Sequence, residues 1–459
     1  GLAALLIAAI TVVIKFTKRT RIAVCSHSVC AAQKTGVSDR GRAGIRVICT
    51  ALSCCIALAA LGGCAKTGDS GEPGTPPPSG GDTDNPTPPV QTEEIMIDTF
   101  ENMTTPAWES GLMYNETVLM LKEGEGAAEG KLAFVPKKVL SVRNYSLTVT
   151  YRENIDYIVE SDGTIRLTEN SECPWLYKEN LTYATRPQGV EGLYEFPSAS
   201  SAIPNLMYTE TSFLVEKQLC VTYEYDKEDF SREAVSSADA DKLPRLRAAL
   251  QEGETLRMAV LGDSISEGAN SSGKLNMAPW QPTYSSLFRQ YLEKRFGTDV
   301  FFENFSLGGM ASAWGAQRAY AVGQFMPDVV ILSFGANDGG KGQNNSVTPV
   351  SVEEFTKNIC EAMENVRKYN PNCEFFLVSS LMPNPQCGAF GIQGEYAAAM
   401  KGIAENDDSV VAVDMYSLHE YMIEDCGKHY VDLSSNNINH PNDFLIRLYT
   451  MNIISALWD

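Results

Sequence analysis

Apolar and polar positions along this chain change rhythm partway. From about Gln91 to Asp229, apolar residues alternate with polar ones over short runs, the period-2 pattern of half-buried strands. "SLTVTYRENIDYIVESDGTIRLTE" is the longest example. Asp162-Gly163 lies between "DYIVE" and "TIRL" and predicts a hairpin there. "KLAFVP", "VLSVRNY" and "CVTYEYD" predict further short strands. Closely spaced strands with turns between them predict a β-sandwich. Then "SADADKLPRLRAALQEG" predicts a connecting helix.

Beyond it the period switches between 2 and 3.6 again and again. "RMAVLGDS", "DVFFENFS", "PDVVILSFG", "CEFFLVSS" and "VVAVDMY" read as strands, and "PDVVILSFG" is apolar throughout, as a strand covered on both faces should be. "TYSSLFRQYLEKRFG" predicts an amphipathic helix stopped at Gly297. "SVEEFTKNICEAMENVRKY" opens with a capping box, Ser351 to Glu354, and its Phe355, Ile359, Met363 and Val366 form one helical stripe. A last helix is predicted to start near Pro441. Strands alternating with helices predict an α/β fold with a parallel sheet covered on both faces.

The first 90 residues follow neither rhythm. Arg42 and Arg46 precede the apolar run "VICTALSCCIALAALGGC", which ends at Cys64. A charged region, a short apolar run and small residues predict a signal peptide. "LGGC" resembles a bacterial lipobox, which implies a lipidated Cys64 as first mature residue and an exported, lipid-anchored protein at the outside of the cell membrane. "AKTGDSGEPGTPPPSGGDTDNPTPP" follows, a Pro/Gly-rich tether unable to bury a core. "GLAALLIAAITVVI" at the start is short for a membrane span, and the first methionine is Met96, so the start of translation is expected elsewhere. The expected organisation is leader 1–63, tether 64–90, β-sandwich 91–235, connecting helix 236–255 and α/β domain 256–459.

The whole-chain net charge is −20. Residues 1–63 hold eight basic residues against one acid, Asp39, so the body of the chain is more acidic still. Nucleic acid is excluded as an expected partner, because phosphate binding needs clustered Lys and Arg. Six cysteines follow Cys64, none in C-x-x-C spacing, so no zinc site is expected. A Cys173–Cys220 disulfide is conceivable in an exported protein; isolated buried thiols are the plainer expectation. "GANDGGK" fits most of a phosphate-binding loop, but Gly342 stands where Ser or Thr is required.

Four polar blocks would emerge at the carboxyl ends of the strands, where such folds bind ligands. They are Gly262-Asp263-Ser264, "NFSLGG" (304–309), "GAND" (335–338) and "NHPND" (439–443). Each alone is a weak signal; all four in this order are specific. The set resembles the SGNH, or GDSL-type, hydrolase family over about Leu256 to the C-terminus. The resemblance implies an SGNH-type three-layer α/β/α parallel sheet, here preceded by a smaller all-β sandwich.

It also implies chemistry. Ser264 would be the nucleophile and His440 the general base. The N–H groups of Ser264 and Gly309 and the Asn337 amide would hold the oxyanion. Asp263 belongs to the motif, with loop hydrogen bonding as its expected task. His419 and His429 lie outside the blocks and are expected to be structural. One position departs from the family: three residues before His440 stands Asn437, where aspartate is usual. Asparagine orients an imidazole but does not offset imidazolium charge. In a serine-protease triad that exchange costs ~10⁴ in rate. Three explanations remain open: a Ser–His dyad with a backbone carbonyl holding the ring, Asp432 reaching the ring, or a weak or dead site. A working dyad aided by Asp432 is the expectation.

The expected activity is removal of acetyl groups from a polysaccharide such as acetyl-xylan, without a cofactor. A short-chain esterase, lipase or thioesterase is the alternative, and an inactive surface glycan-binding protein is another. Trp280 is a candidate stacking platform for a sugar ring, set against the plainer role of closing the local core.

Overall fold

Alternate residues of the Leu256–Gly262 strand enter two different cores. In a computed structural model that describes residues 97–183, 193–202 and 205–458, Met258 and Val260 face one side of a parallel sheet and Ala259 and Leu261 the other. The leader, Cys64 and the tether lie outside the described residues. So do residues 184–192.

The sheet has five strands in the order Val300–Asn304, Leu256–Gly262, Val329–Ser333, Glu374–Val378 and Val410–Val413. All four pairings are parallel, with Met258 beside Val329 and Phe375 beside Val410. Helices Tyr284–Phe296, Met415–Glu424 and Asp443–Leu457 cover one face. Helices Ser312–Gln324, Val352–Arg367 and Gln393–Ala404 cover the other. This is the α/β/α arrangement expected. Phe355, Ile359, Met363 and Val366 are all buried as the stripe requires, and Ser351 Oγ accepts the Glu354 N–H. Each such fully buried side chain contributes roughly 1.5–3 kcal/mol.

The final helix departs from expectation at its start. It begins at Asp443, with Asn442 rather than Pro441 at its start, because the Asn442 side chain accepts the Leu445 N–H. It is also buried along its whole length. The β region supplies the covering: Arg447 donates to the carbonyl oxygens of Tyr114 and Asn115, and Trp108 donates to Ser455.

The β region contains three small sheets. Leu112–Leu119, Gln218–Glu224 and Lys138–Asn144 form an antiparallel one. The hairpin at Asp162-Gly163 joins Tyr157–Val159 to Thr164–Leu167, with Gly163 at φ +85°. The strand expected in "SLTVTY" is reduced to a single bridge between Arg143 and Thr150. "KLAFVP" contributes only Lys131 to the strand Ala128–Lys131. The third sheet pairs Asn205–Thr209 with Leu193–Pro197 and Thr182–Tyr183. The described residues all lie in one compact unit, Val90–Asp459. Among them the six cysteines are free thiols, so Cys173 and Cys220 are not joined.

Candidate active site

Ser264 sits where the Leu256–Gly262 strand becomes a short helix, Ser264–Glu267. Asp263 caps that helix, its Oδ1 accepting the Ile265 N–H at 3.0 Å. Burial pushes the Asp263 carboxyl up to about 7, against the lowering effect of that bond. Gly262 is required by close approach: a Cβ there would lie 2.6 Å from the Ser333 carbonyl oxygen.

His440 arrives from the opposite end of the domain. Its Nε2 lies 2.9 Å from Ser264 Oγ. The loop that carries it is wound around Asn436, whose Oδ1 accepts the N–H groups of Ile438, Asn439 and His440. The His440 carbonyl in turn accepts from Ser435 N and the Ser434 hydroxyl. These bonds fix the backbone from which the ring projects.

The other ring nitrogen does not face a backbone carbonyl. His440 Nδ1 lies 2.5 Å from Asn270 Oδ1 and 3.4 Å from Glu210 Oε2. Both are acceptors, so Nδ1 carries the proton and Nε2 presents its lone pair to Ser264. That is the tautomer a general base needs. Glu210 also accepts from the Tyr208 hydroxyl and, at 3.4 Å, from Asn436 Nδ2. Burial raises the Glu210 carboxyl, but the facing imidazole and these two donors outweigh it, and it ends below the usual range.

Neither Asn437 nor Asp432 reaches the ring. Asn437 stands at φ +66° and turns its side chain away. Its Nδ2 donates to the Met207 carbonyl at 2.9 Å, and its Oδ1 accepts from Asn384. Asp432 is the expectation most clearly corrected. Its Oδ1 accepts the Leu119 N–H at 2.7 Å and its Oδ2 the His429 N–H at 2.9 Å. Lys428, wholly buried, lies 3.5 Å from it and 2.6 Å from Glu116. Asp432 therefore ties the β region to the Tyr430–Leu433 helix. His429 caps that helix, and His419 is buried beside Tyr430.

Ser264, His440, Gly309 and Asn337 line one cavity of about 530 Å³. Gly309 has φ +76°, and a Cβ there would meet nothing within 4 Å. Backbone conformation, not crowding by protein, makes glycine the fitting residue. Asn337 Nδ2 donates to the Met310 carbonyl at 3.0 Å. An amide NH₂ has two donors, so this bond orients the group and uses one. Phe196, Tyr208 and Glu210 from the β region complete the wall. Trp280 lines a different cavity, with Arg447 and Tyr114, and is 62% exposed. It neither closes a core nor faces Ser264.

Residues 260–444 match the GDSL-like Lipase/Acylhydrolase family. The chain carries a GDSL-type acylhydrolase domain. No curated protein matches the chain. Among solved structures it is similar to a two-domain esterase active on acetylated mannans, co-crystallised with mannopentaose, at 21% identity and a TM-score of 0.38. That match covers 48% of this chain and 54% of the other, so the chain spans about half the length of that esterase. An acetylxylan esterase from Geobacillus stearothermophilus matches at 16% identity over 44% of this chain and 94% of its own, TM-score 0.35. An acetyl xylan esterase, AlAXEase, matches at 18% identity over 44% and 98%, TM-score 0.35.

Glu210 and Asn270 were not foreseen from sequence. Asn270 lies six residues past Ser264, in a stretch with no further motif. Glu210 is one of 57 acidic residues, and nothing local singles it out. Only the packing of the Asn205–Thr209 strand beside the His440 loop brings it to the ring.

Proposed function

We propose that the protein is an exported serine esterase that removes acetyl groups from polysaccharide. The observation that carries the reading is the 2.9 Å approach of His440 Nε2 to Ser264 Oγ, at a cavity also lined by Gly309 and Asn337.

The chemistry follows from these groups. Ser264 Oγ attacks the ester carbonyl carbon as its proton passes to His440 Nε2. The carbonyl oxygen becomes an oxyanion and accepts from the Ser264 and Gly309 N–H groups and the Asn337 amide. The C–O bond to the sugar breaks, and the departing oxygen takes the proton from His440. Water then attacks the acetyl-serine with His440 again as base, releasing acetate and restoring Ser264. No redox step is involved.

Two features support a sugar ester. The cavity wall includes Phe196 and Tyr208, ring centroids 5.4 Å apart and inclined by 61°. Such a pair offers apolar faces to a sugar ring with a hydroxyl at the edge. The signal sequence, Cys64 and the tether support placement outside the membrane, where polysaccharide is found.

The test is acetate release from acetylated xylan and from p-nitrophenyl acetate by the protein and by Ser264→Ala. Release from both, lost in the variant, supports the reading, and a preference for xylan supports the polysaccharide assignment. Equal or better turnover of long-chain esters points instead to a general esterase or lipase. Binding of xylan with no release from either substrate points to an inactive glycan-binding protein.

A further inference from the structure

We propose that Glu210, contributed by the β region, is the positioning acid for His440: it holds the imidazole toward Ser264 and offsets the charge the ring gains as base. The proposal rests on the Ser264–His440 reading above and goes beyond it, because it makes the β region part of the catalytic apparatus.

A general base that takes the serine proton becomes an imidazolium in a partly enclosed site. A neutral acceptor fixes the orientation of that ring but leaves its charge uncompensated. Asn270 is such an acceptor, 2.5 Å from Nδ1. Glu210 Oε2, 3.4 Å from the same nitrogen, supplies the charge. The two divide the work between geometry and electrostatics.

The rest of the surroundings leaves Glu210 alone in this role. Asp263, from the nucleophile turn, accepts the Ile265 N–H at its Oδ1. Glu267, on the cavity wall, is paired with Lys274 at 2.9 Å and accepts the Gly308 N–H. Asp443, from the helix after His440, accepts the Ser272 N–H. Asp432 is committed to Leu119, His429 and Lys428. Of these carboxylates only Glu210 lies within 4 Å of the ring nitrogens.

The position of Glu210 is built, not incidental. The strand Asn205–Thr209 that leads to it is tied to the His440 loop by Asn437 Nδ2, which donates to the Met207 carbonyl. Leu206 packs with Ile438 and Cys387 in one buried cluster. Asn436 donates to Glu210 Oε1, and the Tyr208 hydroxyl donates to the same oxygen, leaving Oε2 for His440. The same Asn436 orders the His440 backbone through its Oδ1. Asn437 therefore serves the acid without being it: its amide donates to a carbonyl, which a carboxylate there could not do.

The test uses the full chain, with kcat and KM for p-nitrophenyl acetate measured across the pH range in which histidine titrates. The variants are Glu210→Gln, Glu210→Asp and Ser264→Ala. Glu210→Gln keeps size and one acceptor, removes the charge, and turns the other oxygen into a donor. It is expected to lower kcat about 10–100-fold, less than the ~10⁴ of a fully buried triad carboxylate, since Glu210 is about a third exposed. KM stays within about twofold. Without the carboxylate the imidazolium is less stabilised, so the acidic limb of kcat/KM moves to lower pH. Glu210→Asp, which retains charge at shorter reach, lies between the two in both rate and limb. A merely structural role would lower the active fraction and leave the limb in place. Wild-type kcat in Glu210→Gln, or a lowered kcat with an unmoved limb, overturns the proposal. Full activity in Ser264→Ala would instead overturn the underlying reading, so the two failures are distinguishable.

Discussion

Replacing Asp432 by asparagine removes a buried negative charge that touches three partners at once. Its two oxygens each accept a backbone N–H, from Leu119 and His429, and Lys428 lies 3.5 Å from one of them. Asparagine keeps one acceptor and turns the other into a donor facing an N–H group. One charge-assisted buried hydrogen bond is worth about 1.5–3 kcal/mol. Removing one partner of a buried ion pair costs about 3–5 kcal/mol. Glu116 keeps its nearer bond to Lys428, at 2.6 Å, which places the expected loss at about 2–4 kcal/mol. Equilibrium unfolding in urea reads this loss. In the same preparation, at a temperature where the variant is folded, kcat/KM for p-nitrophenyl acetate should be close to wild type. A stability loss below about 1 kcal/mol would refute the packing argument. A fall in kcat/KM beyond about tenfold in folded protein would restore Asp432 to the catalytic relay.

Asn437→Asp should not raise activity, although it restores the residue usual at that position. Its side chain faces the Met207 carbonyl, so a carboxylate there loses a bond and gains repulsion. A stability loss of about 1–3 kcal/mol in urea is expected, and a rise in kcat/KM would contradict the geometry. His419 makes stability depend on pH. Burial depresses it to about 3, so below about 6.5 the unfolded chain binds a proton that the folded chain does not. Stability is then lost as pH falls from about 6.5 toward 3, by up to ~1.4 kcal/mol per unit. In a pH series of urea midpoints, His419→Leu should flatten this slope; an unchanged slope would show that other groups set it.

Features written in local pattern were legible before the structure. Alternating or continuous apolar runs place the five parallel strands, because a strand covered on both faces must be apolar on both. Ser264, Gly309, Asn337 and His440 each stand in a short motif at a strand or helix end, so their convergence follows once the sheet is parallel. Glu210 and Asn270 were not legible, because their relation to His440 depends on how distant segments pack. Asp432 misled for the opposite reason. Eight residues before His440 is near in sequence, but the Tyr430–Leu433 helix and the turn after it direct the carboxylate toward Leu119. Trp280 misled because an aromatic near a nucleophile in sequence can line another cavity, as this one does. Pro441 missed the helix start by two residues, because the Asn442 side chain is the stronger cap.

The most direct test of the central claim is to trap the acyl-enzyme. Protein turning over p-nitrophenyl acetate would be quenched in acid, digested and mapped by mass spectrometry. The Ser264–His440 geometry predicts an acetyl group on Ser264 in the wild type, absent together with turnover in Ser264→Ala. Undiminished turnover in that variant, or an acetyl group that forms at a catalytic rate on another residue, would contradict it.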